Sequence, residues 1–223
     1  MIKVIFIGSG AVAAEVCSYI EDLNEKQNKQ IEIVGFLDDS FDNYKKNSIN
    51  YMFCSDYLGK ITDWSFPNEY HYIFGFANLR ARASLIKKLD LVNINWLTII
   101  HPTVQISKTA IIEKGTIIYP NCVIGPNVKI GRFNLITSFS FVSHDCIVGE
   151  NNFLSTSGLS GNVIIGNNNY FGIRSTVLPS VIMGSDNTIQ AGMTLDKNIS
   201  DNETIYYRFK EKVSFIKQYH NEE

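Results

Sequence analysis

From residue 100 onward the chain sets a bulky apolar side chain at every sixth position. The series runs Ile100, Ile106, Ile112, Ile118, Ile124, Ile130, Ile136, Val142, Val148 and Leu154. It slips by one residue to Leu159 and resumes at Ile165, Phe171, Val177, Met183, Ile189 and Leu195. Small or polar residues recur four places after many of these, as at Ala110, Thr116, Cys122, Ser140, Cys146, Gly158 and Ser175. A period of six fits neither the 3.6-residue turn of a helix nor the two-residue alternation of a strand. It is the period of a hexapeptide β-helix. Each hexad supplies one short strand, three hexads close a triangular coil, and stacked coils bury the aliphatic positions in one continuous core. Chance alternation in a sandwich gives shorter runs.

The first hundred residues carry a different pattern. Residues 2–7 form an unbroken apolar run, as in a strand buried on both faces of a parallel sheet. Gly8-Ser9-Gly10 follows, and then residues 11–23 show a helical stripe of Val12, Val16, Tyr19, Ile20 and Leu23. A second apolar strand at 31–37 ends in Asp38-Asp39. A third at 70–74 leads through Gly75 into a helix over 78–89. This strand–helix–strand order predicts a small Rossmann-like parallel sheet, with room for about half of a dinucleotide fold. The expected fold class is therefore α/β plus all-β. A Rossmann-like domain (1–98) precedes a parallel β-helix (99–205) and a C-terminal tail (206–223). Residues 41–67 are aromatic-rich without a regular period, and the pattern assigns them no element.

The Gly8-x-Gly10 turn admits two readings. Glycines at a strand–helix junction let backbone amides approach a phosphate, with Ala13 in place of a third glycine; the same turn also occurs with nothing bound. Asp38 and Asp39 close the second strand where carboxylates accept from ribose hydroxyls or a base edge, or else lie in a solvated loop. A mononucleotide or nucleotide-sugar fits so short a domain better than NAD.

Composition narrows the classes. Charged residues are 19% of the 223 and the net charge is −2, so nothing favours nucleic acid or an anionic membrane. No apolar run approaches the roughly 20 residues of a bilayer span, and no separate leader precedes residue 2. Cys17, Cys54, Cys122 and Cys146 lack metal-binding spacing and read as free thiols in the cytoplasm, with no metal expected.

Four histidines are available for proton transfer. His220 lies in the polar tail. His101, before Pro102, reads as a structural contact at the β-helix entry, and His71 as a strand residue with a satisfied ring. Arg80 and Arg82 read as solvated or paired helix residues. His144 stands between the core positions Val142 and Val148, so it can point outward. Imidazole is the natural general base near neutral pH, and it needs a partner that fixes its tautomer. Asp145 is the nearest carboxylate, with Glu150 a second possibility. Neighbouring strand residues normally point to opposite sides, so adjacency alone leaves a surface pair without a role as the alternative. Cys146 reads as a core filler, and no nucleophile–base pair stands out.

Several segments resemble, in one collinear order over nearly the whole chain, the PglD/NeuD-type sugar acetyltransferases of bacterial glycan biosynthesis. They are His144-Asp145-Cys146-Ile147-Val148-Gly149-Glu150, Gly161-Asn162-Val163-Ile164-Ile165-Gly166, Ile5-Phe6-Ile7-Gly8-Ser9-Gly10, Gly35-Phe36-Leu37-Asp38-Asp39 and the His101-Pro102 junction. The resemblance implies a left-handed β-helix, a homotrimer, and acetyl-CoA as co-substrate lying along the β-helix between subunits. It implies His144 as general base and Asp145 as its partner, with the Gly161 amide meeting the thioester carbonyl. Gly172, Ile173, Ala191 and Gly192 would form the cofactor wall, and Gly8, Ser9, Gly10, Asp38 and Asp39 the nucleotide-sugar pocket. The chain departs from the pattern in several places. Ala11-Val12 replaces a common His-Gly pair, Phe153 stands where a second histidine is common, and Arg174 where a small residue is. The slip between Leu154 and Leu159 precedes Gly161. The implied reaction is direct acetyl transfer to the amino group of a nucleotide-linked deoxyamino sugar, such as a 4-amino-4,6-dideoxy sugar. O-acetylation of a sialic acid or similar sugar, and a non-catalytic trimeric nucleotide-sugar-binding scaffold, are the alternatives.

Overall fold

A computed structural model describes residues 1–89 and 93–207. The polar tail from residue 208, His220 included, lies outside the described residues. The chain begins with β1 (Ile2–Ile7), α1 (Ala11–Gln27), β2 (Ile31–Leu37), α2 (Phe41–Tyr51), β3 (Asp56–Gly59), β4 (His71–Phe74), α3 (Leu79–Leu89) and β5 (Asn95–Trp96). The strands form one parallel sheet in the order β3-β2-β1-β4-β5. The central β1 is buried from Val4 to Ile7, as its unbroken apolar run requires. Three of these elements, α2, β3 and β5, were not foreseen. Ser40 caps α2 by accepting from the Asn43 amide, yet no residue of α2 is buried, and β3 is a short edge strand.

From Ile99 the chain coils. Strands of two residues repeat on three parallel sheets, which fit a left-handed parallel β-helix. Face one starts its strands at Ile99, Ile117, Leu135, Phe153, Tyr170, Thr188 and Thr204. Face two starts at Gln105, Val123, Phe141, Gly158, Thr176 and Thr194, and face three at Ile111, Lys129, Ile147, Ile164 and Ile182. In each two-residue strand the second residue points inward. Ile124, Ile130, Ile136, Val142, Val148 and Leu154 are all buried, and the aliphatic positions form a single core. The corner residues are left-handed: Asn121, Asn127, Phe133, Phe139, Asp145 and Asn151, then Thr156 after only five residues, then Asn162. The slip is therefore one corner shortened by one residue between faces one and two. Most strand partners stand 18 residues apart; across that corner they stand 17 apart, as in Phe141 with Gly158, and in the last coil 16 apart, as in Thr188 with Thr204.

The corners are sealed from inside. Asn134, Asn152, Asn169 and Asn187 stack at the corner from face three to face one, each side-chain oxygen accepting from the next backbone amide along the axis. At the next corner Ser140 Oγ accepts from the Ser157 amide, Ser157 Oγ donates to the Ser155 carbonyl, and the Ser157 and Ser175 hydroxyls bond each other. These are the small polar positions of the hexad, and most of them bond backbone groups at the corners.

The N-terminal sheet sits on face one through α1 and α3. The outward residues Ile99, Ile117 and Leu135 are buried in one cluster with Val12, Val16 and Ile20 of α1. Burial of each such side chain contributes roughly 1.5–3 kcal/mol. Phe133 packs against Trp96 with ring centroids 4.9 Å apart. His101 confirms its reading as a structural contact: Nε2 meets Asp22 Oδ2 at 2.7 Å and Nδ1 meets Thr103 Oγ1 at 2.9 Å. Tyr119 donates to Glu15 at 2.7 Å.

Two expectations are corrected. Arg82 is neither solvated nor ion-paired. It is wholly buried, donates to the Phe133 carbonyl, and lies 5.1 Å from the Phe74 ring centroid. Its Nε and Nη1 find no acceptor among the described residues, and burial lowers its pKa to about 10, so it stays cationic at neutral pH. It faces inward because it shares the buried stripe of α3 with Ile86 and Leu89. His71 does not have a satisfied ring, since its buried Nδ1 has no partner among the described residues. Among the described residues no helix is long and apolar enough to cross a membrane.

Candidate active site

His144 and Asp145 occupy the corner between faces two and three. Asp145 is the left-handed corner residue, at φ 59°. Asp is among the few residues that adopt this conformation readily. The left-handed bend removes the objection from strand alternation, because the carboxylate swings back beside the preceding side chain. His144 Nδ1 meets Asp145 Oδ2 at 2.8 Å. The other carboxylate oxygen accepts from the Asn127 amide at 2.9 Å. These bonds, Asn127 first and His144 second, hold the Asp145 carboxyl below the usual carboxylate range. An ionised Asp145 accepts a hydrogen bond from Nδ1–H, the tautomer that leaves Nε2 without a proton. Both side chains remain open, at 55% and 45% exposure.

Asn127 was not foreseen. It is the corner residue one coil below Asp145, and the signal that would have found it is the 18-residue separation itself. Glu150 does not serve as a second partner. Arg132 engages both of its oxygens, at 2.9 and 3.0 Å. Cys146 is buried, its Sγ facing the Ser160 carbonyl, and burial raises its pKa, which fits a core filler.

Gly161 lies one coil above the imidazole. A methyl group there would stand 2.5 Å from both Cε1 and Nε2 of His144, closer than carbon atoms approach in real structures. The absent side chain is thus what lets the ring rest against the backbone of the next coil. Gly172, Ile173, Ala191 and Gly192 gather at a different corner, between faces one and two. A Cβ on Gly172 would strike the Ala191 backbone at 2.4 Å, and Gly192 donates to the Ile173 carbonyl at 2.8 Å. Face two separates this group from His144 within one chain.

The third group forms as expected. Gly8, Ser9, Gly10, Asp38 and Asp39 line one cleft of about 280 Å³ at the carboxyl ends of β1 and β2, with Asn43, Asn47, Ile61 and Phe76. Gly8, at φ +90°, has no room for a side chain: a Cβ would lie 2.5 Å from the Phe76 ring. The roles of the two carboxylates differ. Asp38 accepts from the Ser9 amide and hydroxyl at 3.1 and 2.7 Å and from the Ser40 amide at 3.0 Å, so it locks the glycine turn. Asp39 is exposed and, among the described residues, takes only a 3.3 Å bond from the Thr62 amide. No side chain caps α1, and its first turn carries no acid. An anion there would meet open amides and the positive end of the helix dipole.

A cleft of about 650 Å³ between α3 and face one does not include His144. Among the described residues no group of three or more His, Cys, Asp or Glu side chains could hold a metal ion.

No protein-family model matches the chain. Solved structures share its fold. PerB from Caulobacter crescentus, in complex with CoA and GDP-perosamine, superposes with TM-score 0.71 at 22% identity, over 91% of this chain and 92% of that one. The acetyltransferase domain of PglB from Neisseria gonorrhoeae, in complex with acetyl coenzyme A, gives 0.72 at 23% identity, over 91% and 94%. WeeI from Acinetobacter baumannii gives 0.72 at 19%, over 92% and 96%.

Proposed function

We propose that this chain is an acetyl-CoA-dependent N-acetyltransferase acting on the amino group of a nucleotide-linked deoxyamino sugar. The observation that carries the reading is the His144–Asp145 pair at 2.8 Å, set against Gly161 on the edge of a β-helix. The fold shared with PerB and the PglB domain, proteins solved with CoA or acetyl coenzyme A, supports it. The strand order 3-2-1-4-5 matches the first five strands of a doubly wound dinucleotide-binding sheet, which supports a Rossmann-like nucleotide site at the Gly8–Gly10 turn.

In this reading the neutral amine attacks the thioester carbonyl carbon while His144 Nε2 takes the departing proton. Asp145 holds the Nδ1 proton and stabilises the imidazolium. The Gly161 N–H faces the oxyanion of the tetrahedral intermediate. Collapse of that intermediate breaks the carbon–sulfur bond, and His144 returns its proton to the thiolate of CoA. No covalent enzyme intermediate and no metal take part.

The site is shared between copies in a homotrimer. Gly172, Ile173, Ala191 and Gly192 lie on another corner than His144, and one exposed face cannot enclose a pantetheine arm. Faces two and three flank the catalytic corner with outward apolar side chains, Val123, Phe141, Ile147, Ile164 and Ile182, each at least 39% exposed. Apolar surface of this extent marks an interface. Packed copies would bring the catalytic corner of one chain to the cofactor corner of the next.

His144→Asn should lower kcat by about a hundredfold to ten-thousandfold, the range for loss of a general base, with an unchanged thermal midpoint. Acetyl transfer is followed by mass spectrometry on a panel of nucleotide amino sugars. A near-normal rate at saturating acceptor would overturn the assignment.

A further inference from the structure

A second cleft, of about 330 Å³, opens between α1 and the corner joining faces one and two, and neither the base nor the glycine turn lines it. Its walls are Val12 and Glu15 of α1, Tyr119, Phe153, and the hydroxyl-bearing residues Ser155 and Thr156 of the shortened hexad, with Thr137 and Ser138 beside them. Glu15 Oε2 already accepts from the Tyr119 hydroxyl at 2.7 Å, which orients the carboxylate and leaves Oε1 without a partner among the described residues. Burial and the Glu15 charge raise the Tyr119 pKa, so the phenol stays a donor.

The lining decides what enters. It holds one carboxylate, several hydroxyls and two aromatic rings, those of Tyr119 and Phe153, and no cationic side chain. A phosphate would meet the Glu15 charge unopposed. A neutral polyhydroxyl ring instead finds acceptors on Glu15, donors and acceptors on Ser155 and Thr156, and an apolar wall at Phe153. The position agrees. The cleft at Gly8–Gly10 precedes α1 and this one takes Val12 and Glu15 from its first turns, so the uncapped helix start lies between them. A nucleoside diphosphate sugar has this order of parts: a nucleoside, a diphosphate suited to a helix N-terminus, and a neutral hexose.

We infer that the α1–Phe153 cleft is the hexose subsite of the nucleotide-sugar acceptor, with Glu15 as a specificity-determining residue that accepts hydrogen bonds from the ring hydroxyls. The inference rests on the acetyltransferase reading above and adds to it the place and the recognition of the sugar. Glu15 holds the ring and takes no proton from it. The shortened hexad, one residue under the common count, puts Ser155 and Thr156 on the opposite wall.

The test compares wild type, Glu15→Gln and Ser155→Ala by calorimetric titration. The probes are UDP-, dTDP- and GDP-linked 4-amino-4,6-dideoxyhexoses and the free diphosphates UDP, dTDP and GDP. Glu15→Gln should weaken the bound nucleotide sugar by about ten- to hundredfold, as for a lost bond to a charged group, and leave the matching free diphosphate unchanged. Ser155→Ala should show the same selectivity at smaller size. In turnover the loss should fall on the KM of the sugar, with kcat and the KM of acetyl-CoA preserved. Equal weakening of sugar and diphosphate, or no weakening by Glu15→Gln while wild type transfers acetyl groups, overturns the subsite alone. A wild type that binds none of the nucleotide sugars overturns the subsite and the function together.

Discussion

At φ 59° Asp145 turns the chain and, in the same step, brings its carboxylate alongside the preceding imidazole. One residue thus sets both the corner of the fold and the tautomer of the candidate base. Gly161 completes the arrangement by what it lacks. Its backbone is outside the left-handed region, so alanine meets no conformational strain, yet the added methyl would stand 2.5 Å from His144 Nε2. The ring must then move. Misplacement of a catalytic group by about 1 Å costs on the order of a hundredfold. Gly161→Ala should therefore lower kcat by about that factor with little change in thermal midpoint, as steady-state kinetics and calorimetry will show. Adjacency left the pair open in the sequence, and the resemblance singled it out. Asn127 was not, because its contact with Asp145 spans 18 residues and exists only once coils stack.

At the scale of elements, α1 ties the parallel sheet to the β-helix at a charged contact. Asp22 bonds Lys26 at 2.6 Å and His101 at 2.7 Å, and these two partners, Lys26 first, lower its pKa. A carboxyl whose folded pKa is depressed contributes stability above its unfolded pKa and loses it as pH falls through the folded one. Asp22→Asn should accordingly melt below wild type at pH 7. The gap should close as pH drops through the carboxylate range, where the wild-type side chain is neutral too. Melting curves of both proteins between pH 7 and pH 3 check the sign. Why some elements escaped the sequence reading is also physical. The strands β1 and β2 and the helix α1 announce themselves by burial, whereas α2 buries no residue and so leaves no apolar stripe to read. Arg82 misled in the opposite sense. Its charge suggested solvent, while its spacing from Ile86 and Leu89 already placed it on the buried face of α3.

For the whole molecule, the strongest signal was the hexad, which exposed the coil, its core positions and the one slip before any contact was known. Assembly was carried by the resemblance instead, since the outward residue of each strand obeys no burial rule within one chain. Ile111, Ile147, Ile164 and Ile182 stand on face three at 39–56% exposure, and the proposed trimer would cover them. Sedimentation equilibrium at working concentration should give three times the chain mass, and Ile164→Asp should lower both the mass and the rate. A fully active monomer would rule out the shared site. The stacked coils also act as a ruler with fixed graduations. Neighbouring strands of a sheet lie about 4.8 Å apart, and a coil takes 18 residues, 17 where the corner is shortened and 16 at the end of the stack. The reach from the N-terminal sheet to the His144 corner can therefore change during descent only by whole coils. Insertion of a single residue re-cuts a corner and leaves the graduations where they were.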